Sequence, residues 1–211
     1  MELLQDKTLV MVIGPAAVGK SSLMRAVTGL DSSFGYVHSF TTRPPRKNET
    51  SSYTHITESE AQRLHEQGGT VTFAKHPTTG NIYGTTSGSY TAKYNLLDTL
   101  SSTVTMYKAL PFKQTIAISV TTDPEAWTTW LLERYPTASD ERTKRLKEAI
   151  SSIEWSLNQT TNHSWLVNTP DNLEQTASQL IEMVLGNKLS AQTPQEALKL
   201  LEQAKSLLSY K

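Results

Sequence analysis

Apolar positions in this chain switch between two periodicities. Leu9-Val-Met-Val-Ile13 and Thr115-Ile-Ala-Ile-Ser-Val120 are near-continuous, β-branched runs that read as buried strands. Tyr36-Val-His-Ser-Phe40 and Trp165-Leu-Val-Asn168 read as shorter strands. Between them the apolar residues recur at helical spacing. Leu23, Met24 and Val27 mark one face of a helix beginning at Ser21, and Ala61 and Leu64 mark another over Glu58 to Gln67, closed by Gly68-Gly69. Pro124 to Arg134 and Asp140 to Leu157 read as two helices separated by the Tyr135-Pro136 step, and Asn172 to Leu185 as a further one. Residues 70–86 carry short β-like runs around Pro77, Gly80 and Gly84. A final helix is predicted from Thr193 as N-cap, Pro194 in the first turn and Glu196 completing a capping box. Its stripe of Ala197, Leu198, Leu201, Ala204, Leu207 and Leu208 packs either on its own domain or on a partner chain. Strands alternating with helices predict a three-layer α/β domain with a mainly parallel sheet.

One junction in this pattern carries chemistry. The first strand runs directly into Gly14-Pro-Ala-Ala-Val-Gly19-Lys20-Ser21, which matches G-x-x-x-x-G-K-[ST], and the first helix follows at once. A helix N-terminus offers unpaired N–H groups and partial positive charge, so it binds anions. Gly14 and Gly19 permit backbone conformations that a side chain forbids, Lys20 reaches the β and γ phosphates, and the Ser21 hydroxyl sits on Mg²⁺. A nucleoside triphosphate site is predicted.

Composition narrows the setting. The chain has 211 residues, enough for one domain with a small inserted lobe, and its 20 Lys+Arg balance its 20 Asp+Glu. No global field draws it to nucleic acid or an acidic membrane. The absence of cysteine excludes disulfides and thiolate chemistry. Residues 1–7 show no signal-peptide pattern and no apolar run reaches membrane-spanning length, so a cytoplasmic protein is expected.

Further motifs carry a resemblance. Gly14 to Ser22, Ser39-Phe-Thr-Thr-Arg-Pro-Pro-Arg46, Tyr53, Gly80-Asn-Ile-Tyr-Gly-Thr85 and Lys144-Arg145-Leu146 occur in the order seen in guanylate kinases, over roughly residues 8–185. The resemblance implies a P-loop kinase core at residues 1–37 and 96–187 with a lid near 134–145. It also implies an inserted nucleoside-monophosphate-binding lobe at 38–95, beyond which residues 188–211 form the C-terminal amphipathic helix. The implied reaction moves the γ-phosphoryl group of ATP to a nucleoside monophosphate with Mg²⁺, GMP or dGMP being the family default. Gly14, Ala16, Ala17, Val18, Gly19, Lys20, Ser21 and Ser22 then bind ATP, and Asn168 either contacts its adenine or caps a turn.

The acceptor phosphate, with about two negative charges, calls for fixed arginines and hydroxyls. By the resemblance, Arg43, Arg46, Tyr53 and Tyr83 hold it, with Ser39 and Thr85 beside them, and Lys20, Arg43, Arg134 and Arg145 are catalytic. Alone, the Arg43–Arg46 segment reads as a solvated basic loop with two packing tyrosines; beside a phosphate loop it reads as an anion site. Arg142 is expected to be a surface residue paired with neighbouring acids. No nucleic acid or membrane partner is expected, and the chain is expected to be a monomer or a homodimer.

The departures bear on the base. Guanine presents N1–H and N2–H₂ donors and calls for a carboxylate acceptor. No Asp or Glu occurs from Gln67 to Leu97. A count without gaps from Gly84 puts the family's two strand aspartates on Thr103 and Thr105, and its glutamate falls near Thr72. A hydroxyl cannot clamp two donors with a charge, so a pyrimidine or modified-base monophosphate is expected instead. Thr103 also removes a carboxylate that helps hold Mg²⁺, for which Asp98 is a displaced candidate. Two alternatives remain: a non-catalytic binding module built on this fold, and a kinase of a phosphorylated sugar. Retention of Lys20, Ser21, Arg43, Arg46, Arg134 and Arg145 speaks against the first; Tyr53 and Gly80 to Thr85 speak against the second.

Overall fold

Thr8–Ile13 is buried at every position and forms β1, the middle strand of the main sheet. In the computed structural model, which describes residues 4–45, 53–77, 79–137, 139–169, 171–186, 188–190 and 192–209, the phosphate-loop motif connects β1 to α1 (Lys20–Leu30). The chain continues through β2 (Phe34–Tyr36), β3 (Ser39–Thr41), β4 (Tyr53–His55), α2 (Glu58–Glu66), β5 (Thr72–Lys75) and β6 (Ile82–Thr85). It returns by β7 (Tyr94–Asp98), then runs through α3 (Val104–Lys108), β8 (Gln114–Thr121), α4 (Pro124–Arg134), α5 (Asp140–Leu157), β9 (His163–Val167), α6 (Leu173–Leu185) and α7 (Gln195–Ser209).

The main sheet has the order β2-β7-β1-β8-β9 and is parallel throughout. β1 is buried on both faces, as a strand covered by helices on each side must be. Val10 and Val12 join a core with α1, α4, α5, α6 and α7, whereas Leu9, Met11 and Ile13 point into a second core with Val104 and Tyr107 of α3. Strand order reverses beside β1, and ligands of open α/β sheets bind at such a point, past the carboxyl ends of the strands. Among the described residues no helix is long and apolar enough to cross a membrane.

Residues between β2 and β7 build a separate four-stranded sheet, ordered β4-β3-β6-β5. Its small core of Phe40, Ala61 and Ile82 is closed by α2, whose Thr57–Glu60 capping box is complete. Gly84 admits Phe40: a Cβ there would meet the Phe40 ring and come within 2.6 Å of the Thr72 carbonyl. The run expected as one strand, Tyr36 to Phe40, is divided between the two sheets. Val37 and His38 turn the chain out of the main sheet, so Tyr36 pairs with β7 while Phe40 pairs with β4 and β6.

The tail helix α7 packs on its own chain, against α5, α4 and β8. Ala197, Leu200 and Ala204 are fully buried, Gln203 donates to Thr128 at 3.1 Å and Lys205 pairs with Glu154 at 2.7 Å. The stripe differs from the expected one by a small rotation: Leu200 is inside, and Leu198 faces solvent.

A buried polar chain lies under this region. Ser156 donates to the Ser152 carbonyl at 2.9 Å and Ser119 donates to Ser156 at 2.7 Å, so the 2.8 Å contact to Ser119 is donated by His163 Nε2. That tautomer leaves Nδ1 bare, buried and without a hydrogen-bond partner among the described residues. Burial, and secondarily the charge of Lys108, push the His163 imidazole down to about 4. The folded state therefore binds fewer protons than the unfolded state between pH 6.5 and 4, and stability is lost as pH falls through that window. The loss expected from this residue is about 2 kcal/mol. Urea midpoints at pH 7 and pH 4.5 test it: His163→Gln should shrink the wild-type difference, and an unaltered difference would sink the assignment.

Candidate active site

The loop after β1 is shaped by its neighbours as well as by its glycines. Gly14 has φ 149° and a Cβ there would lie 2.6 Å from the Val120 carbonyl; Gly19 has φ 90° and a Cβ there would run into Asn168 Nδ2. Ala17 also adopts a left-handed conformation, φ 67°, in which a non-glycine residue stores strain. Two contacts hold the loop in place: Trp127 Nε1 donates to the Ala16 carbonyl at 2.9 Å, and Asn168 Nδ2 donates to the Val18 carbonyl at 3.0 Å. Sequence reading gave no sign of Trp127, and it gave Asn168 an adenine contact or a turn cap. The structure gives Asn168 a bracing bond beneath the loop, although it also borders the cleft.

Lys20 opens α1 and its ammonium is fully engaged. Nζ donates to the carbonyls of Gly14 at 2.8 Å and Pro15 at 2.9 Å, and stands 3.7 Å from Asp98. Burial pushes the Lys20 ammonium down from its ordinary value, against the pull of Asp98. Ser21 and Ser22 follow on the first turn and line the same cleft, of about 1560 Å³, that the whole loop borders.

Across this cleft the small lobe contributes Ser39, Arg43, Tyr53 and Tyr83. Arg43 follows β3, donates to the Pro44 carbonyl at 2.8 Å and lies with its guanidinium carbon 5.6 Å from the centre of the Tyr53 ring. Tyr53 and Tyr83 meet edge to face, ring centres 5.8 Å apart. Burial, then nearby Asp98, push the Tyr53 phenol well up, so its hydroxyl remains a donor. Arg46 lies outside the described residues.

Arg134 ends α4 and Arg145 stands in the second turn of α5, and both border the cleft around Tyr135, at 5.8 Å and 6.0 Å from its ring centre. Arg145 donates to Glu148 at 2.8 Å and lies 3.5 Å from Glu141. Arg142 sits in the first turn of α5, its backbone N–H donating to the Ser139 cap.

The gapless count of the strand after the small lobe is corrected by the topology. That strand is β7, which ends at Asp98; Thr103 ends a 3₁₀ turn and Thr105 stands in α3, exposed and away from the cleft. β7 thus ends in a carboxylate, Asp98, 3.7 Å from Lys20, and two residues on the chain presents Leu100. Thr103 does border the cleft, donating to the Leu100 carbonyl at 2.9 Å and accepting from Thr99 at 2.6 Å. Thr72 and Thr85 are buried behind the cleft wall. They bond each other at 2.8 Å, Thr85 meets Tyr90 at 2.8 Å, and Thr72 meets Tyr107 at 3.4 Å.

Comparison with known proteins agrees with this fold. A family model described as guanylate kinase matches residues 5–186. Guanylate kinases of Nostoc sp. and Rubrobacter xylanophilus are 38% and 35% identical to this chain over 79 residues, 36% of this chain. The match spans about two fifths of the length of those curated relatives, 39% and 40%. The crystal structure of guanylate kinase from Anaplasma phagocytophilum superposes with a TM-score of 0.57, covering 89% of this chain and 88% of that one at 16% identity. At that identity the likeness concerns the fold.

Proposed function

The chain belongs to the guanylate kinase family, and from that premise we propose that it transfers the γ-phosphoryl group of ATP to a nucleoside monophosphate whose base is read by neutral hydroxyls. The observation that carries the reading is the shared cleft, in which the phosphate loop with Lys20 faces Arg43, Tyr53 and Tyr83 across the space bordered by Arg134 and Arg145. Two phosphate-binding halves with arginines between them suit phosphoryl transfer, which is mostly positioning and charge neutralisation.

An oxygen of the acceptor phosphate attacks the γ-phosphorus, the bond to the β–γ bridging oxygen breaks, and ADP leaves. That oxygen is already anionic, so no general base is required. Lys20 and the loop N–H groups hold the β and γ phosphates, Arg43 and the two tyrosines hold the acceptor, and Arg134 and Arg145 balance charge over the transfer. Ser21 and Asp98 would supply the oxygen donors at the loop for Mg²⁺, a cation that takes oxygen ligands. The ion supplies further neutralisation of the triphosphate.

The base end supports the finer part of the proposal. Among the described residues, the carboxylates bordering the cleft stand beside cations: Asp98 by Lys20, and Glu141 and Glu148 by Arg145. Around Leu97 and Leu100 the cleft is lined by the hydroxyls of Thr99, Ser101, Ser102, Thr103 and Tyr107, with Thr99 and Thr103 bonded to each other and Tyr107 to Thr72. Hydroxyls both donate and accept, which fits the mixed edge of a pyrimidine or modified base better than the two adjacent donors of guanine.

Turnover with ATP and Mg²⁺ against all common ribo- and deoxyribonucleoside monophosphates, with ribose phosphates beside them, tests both parts. A pyrimidine or modified-base monophosphate is expected to be preferred by at least about tenfold over GMP. Fast, selective GMP turnover would overturn the base assignment and keep the reaction. Turnover of a ribose phosphate alone, or ATP binding with no turnover of any acceptor, would overturn the nucleotide kinase itself.

A further inference from the structure

His76 and Glu148 face each other across the cleft from different parts of the fold. His76 follows β5 in the small lobe; Glu148 projects from α5, one turn beyond Arg145. His76 is 8% exposed, and its Nε2 lies 3.7 Å from Glu148 Oε1. Its Nδ1 accepts from the Thr79 backbone N–H at 3.3 Å, which places the neutral ring's proton on Nε2, the nitrogen turned toward Glu148. The loop that carries His76 is tied at both backbone ends, its N–H donating to the Asn81 carbonyl at 2.8 Å and its carbonyl accepting from Gly80 N–H at 3.0 Å. The ring also packs at 5.9 Å against Tyr83, the acceptor-side tyrosine.

Glu148 divides its two oxygens between the two halves of the molecule. Oε2 accepts from Arg145 at 2.8 Å, while Oε1 is buried without a hydrogen bond among the described residues and has His76 Nε2 3.7 Å away. Arg145 Nε is likewise buried without a hydrogen-bond partner. A carboxylate oxygen in this position gains a full hydrogen bond if the lobe moves by less than an ångström toward α5.

We propose that Glu148 and His76 are a positioning pair that ties the acceptor lobe to Arg145, so that closure of the lobe over its monophosphate sets the guanidinium for transfer. The proposal rests on the phosphoryl-transfer reading of the same site. Neither residue touches the reacting atoms; Glu148 acts through Arg145 and His76 acts through Glu148. Among the described residues, the groups that face His76 include Glu148 and Arg145 from α5, Tyr83 from β6 and the Thr79 N–H of its own loop. Burial and Arg145 push the imidazole down and Glu148 pushes it up.

A double-mutant cycle of Glu148→Gln and His76→Asn decides it, with circular dichroism to confirm folding. Each single variant is expected to lower kcat by about 10- to 100-fold while KM for ATP stays within about threefold, because misplacement of a positioned group costs rate rather than donor binding. The double variant is expected to be no worse than the poorer single one. Losses that multiply, or a Glu148→Gln variant with wild-type kcat, would overturn the pair. An independent readout is the titration of the His76 ring by NMR: Glu148→Gln should lower its midpoint, and an unmoved midpoint overturns the contact even if no acceptor is ever phosphorylated. If no acceptor is phosphorylated while the midpoint does move, the functional reading fails and the pairing survives. Should Glu148→Gln unfold, Glu148→Asp is read in its place, where a shortened carboxylate should likewise lower kcat and move the midpoint.

Discussion

Replacing Lys20 with alanine should lower kcat by at least about 1,000-fold and leave the fold intact. The phosphates lose a cation placed where negative charge spreads in the transition state, on a nearly buried side chain, where such a charge is worth more than in solution. The ammonium is already held over the loop by two carbonyls at 2.8 and 2.9 Å and by Asp98 at 3.7 Å. When the triphosphate enters, the ammonium exchanges those carbonyl contacts for phosphate oxygens. Stability should hardly change, and the reason is visible in the direction of the Lys20 shift. Burial disfavours its charge more than Asp98 favours it, so alanine removes a partly penalised cation. The paired measurements are kcat at saturating ATP and acceptor, and the thermal midpoint. Activity within tenfold of wild type would defeat the phosphate-loop assignment; a collapsed midpoint would mean that the lysine is structural.

Much of this arrangement is readable from the chain because its signals are local. A β-branched run, a glycine loop and an amphipathic helix in immediate succession leave little freedom, and β1, the loop and α1 form as expected. The limits of α4 and α5 are likewise written in Pro124, Arg134, Asp140 and Leu157, since caps and breakers act within one turn. What escapes the sequence is pairing at a distance. Val37 and His38 carry no breaker, yet the chain there leaves one sheet for another, because β7 offers partners to Tyr36 but none to Phe40. The strand that carries Asp98, β7, is identified by its ladder with β1 and not by its composition. Trp127 and Asn168, which brace the phosphate loop, sit 111 and 150 residues from the carbonyls they hold. His76 and Glu148 pose the same difficulty, since neither belongs to a motif and each gains meaning from the other.

Arg43→Ala should raise the acceptor KM by about 100-fold and change KM for ATP by less than about threefold. Arg43 stands on the lobe side of the cleft, is 9% exposed, and is already oriented by the Pro44 carbonyl and the Tyr53 ring. Hydrogen bonds between a guanidinium and phosphate oxygens are charge-assisted, and losing them costs about 2–3 kcal/mol in a partly desolvated site, which is where the hundredfold comes from. Removal also strips the Tyr53 face of its cation, so the acceptor hydroxyls lose some of their order. The donor half is built from other elements, β1 and α1, and should not sense the change. Arg43→Lys separates charge from geometry: a point charge without the planar fork should recover no more than about a tenth of the lost affinity. An equal rise in both KM values would place Arg43 between the two phosphates rather than on the acceptor. Full recovery by lysine would mean that this half of the cleft binds its phosphate by charge alone, without the fixed directions that a tyrosine pair and a pre-set guanidinium provide.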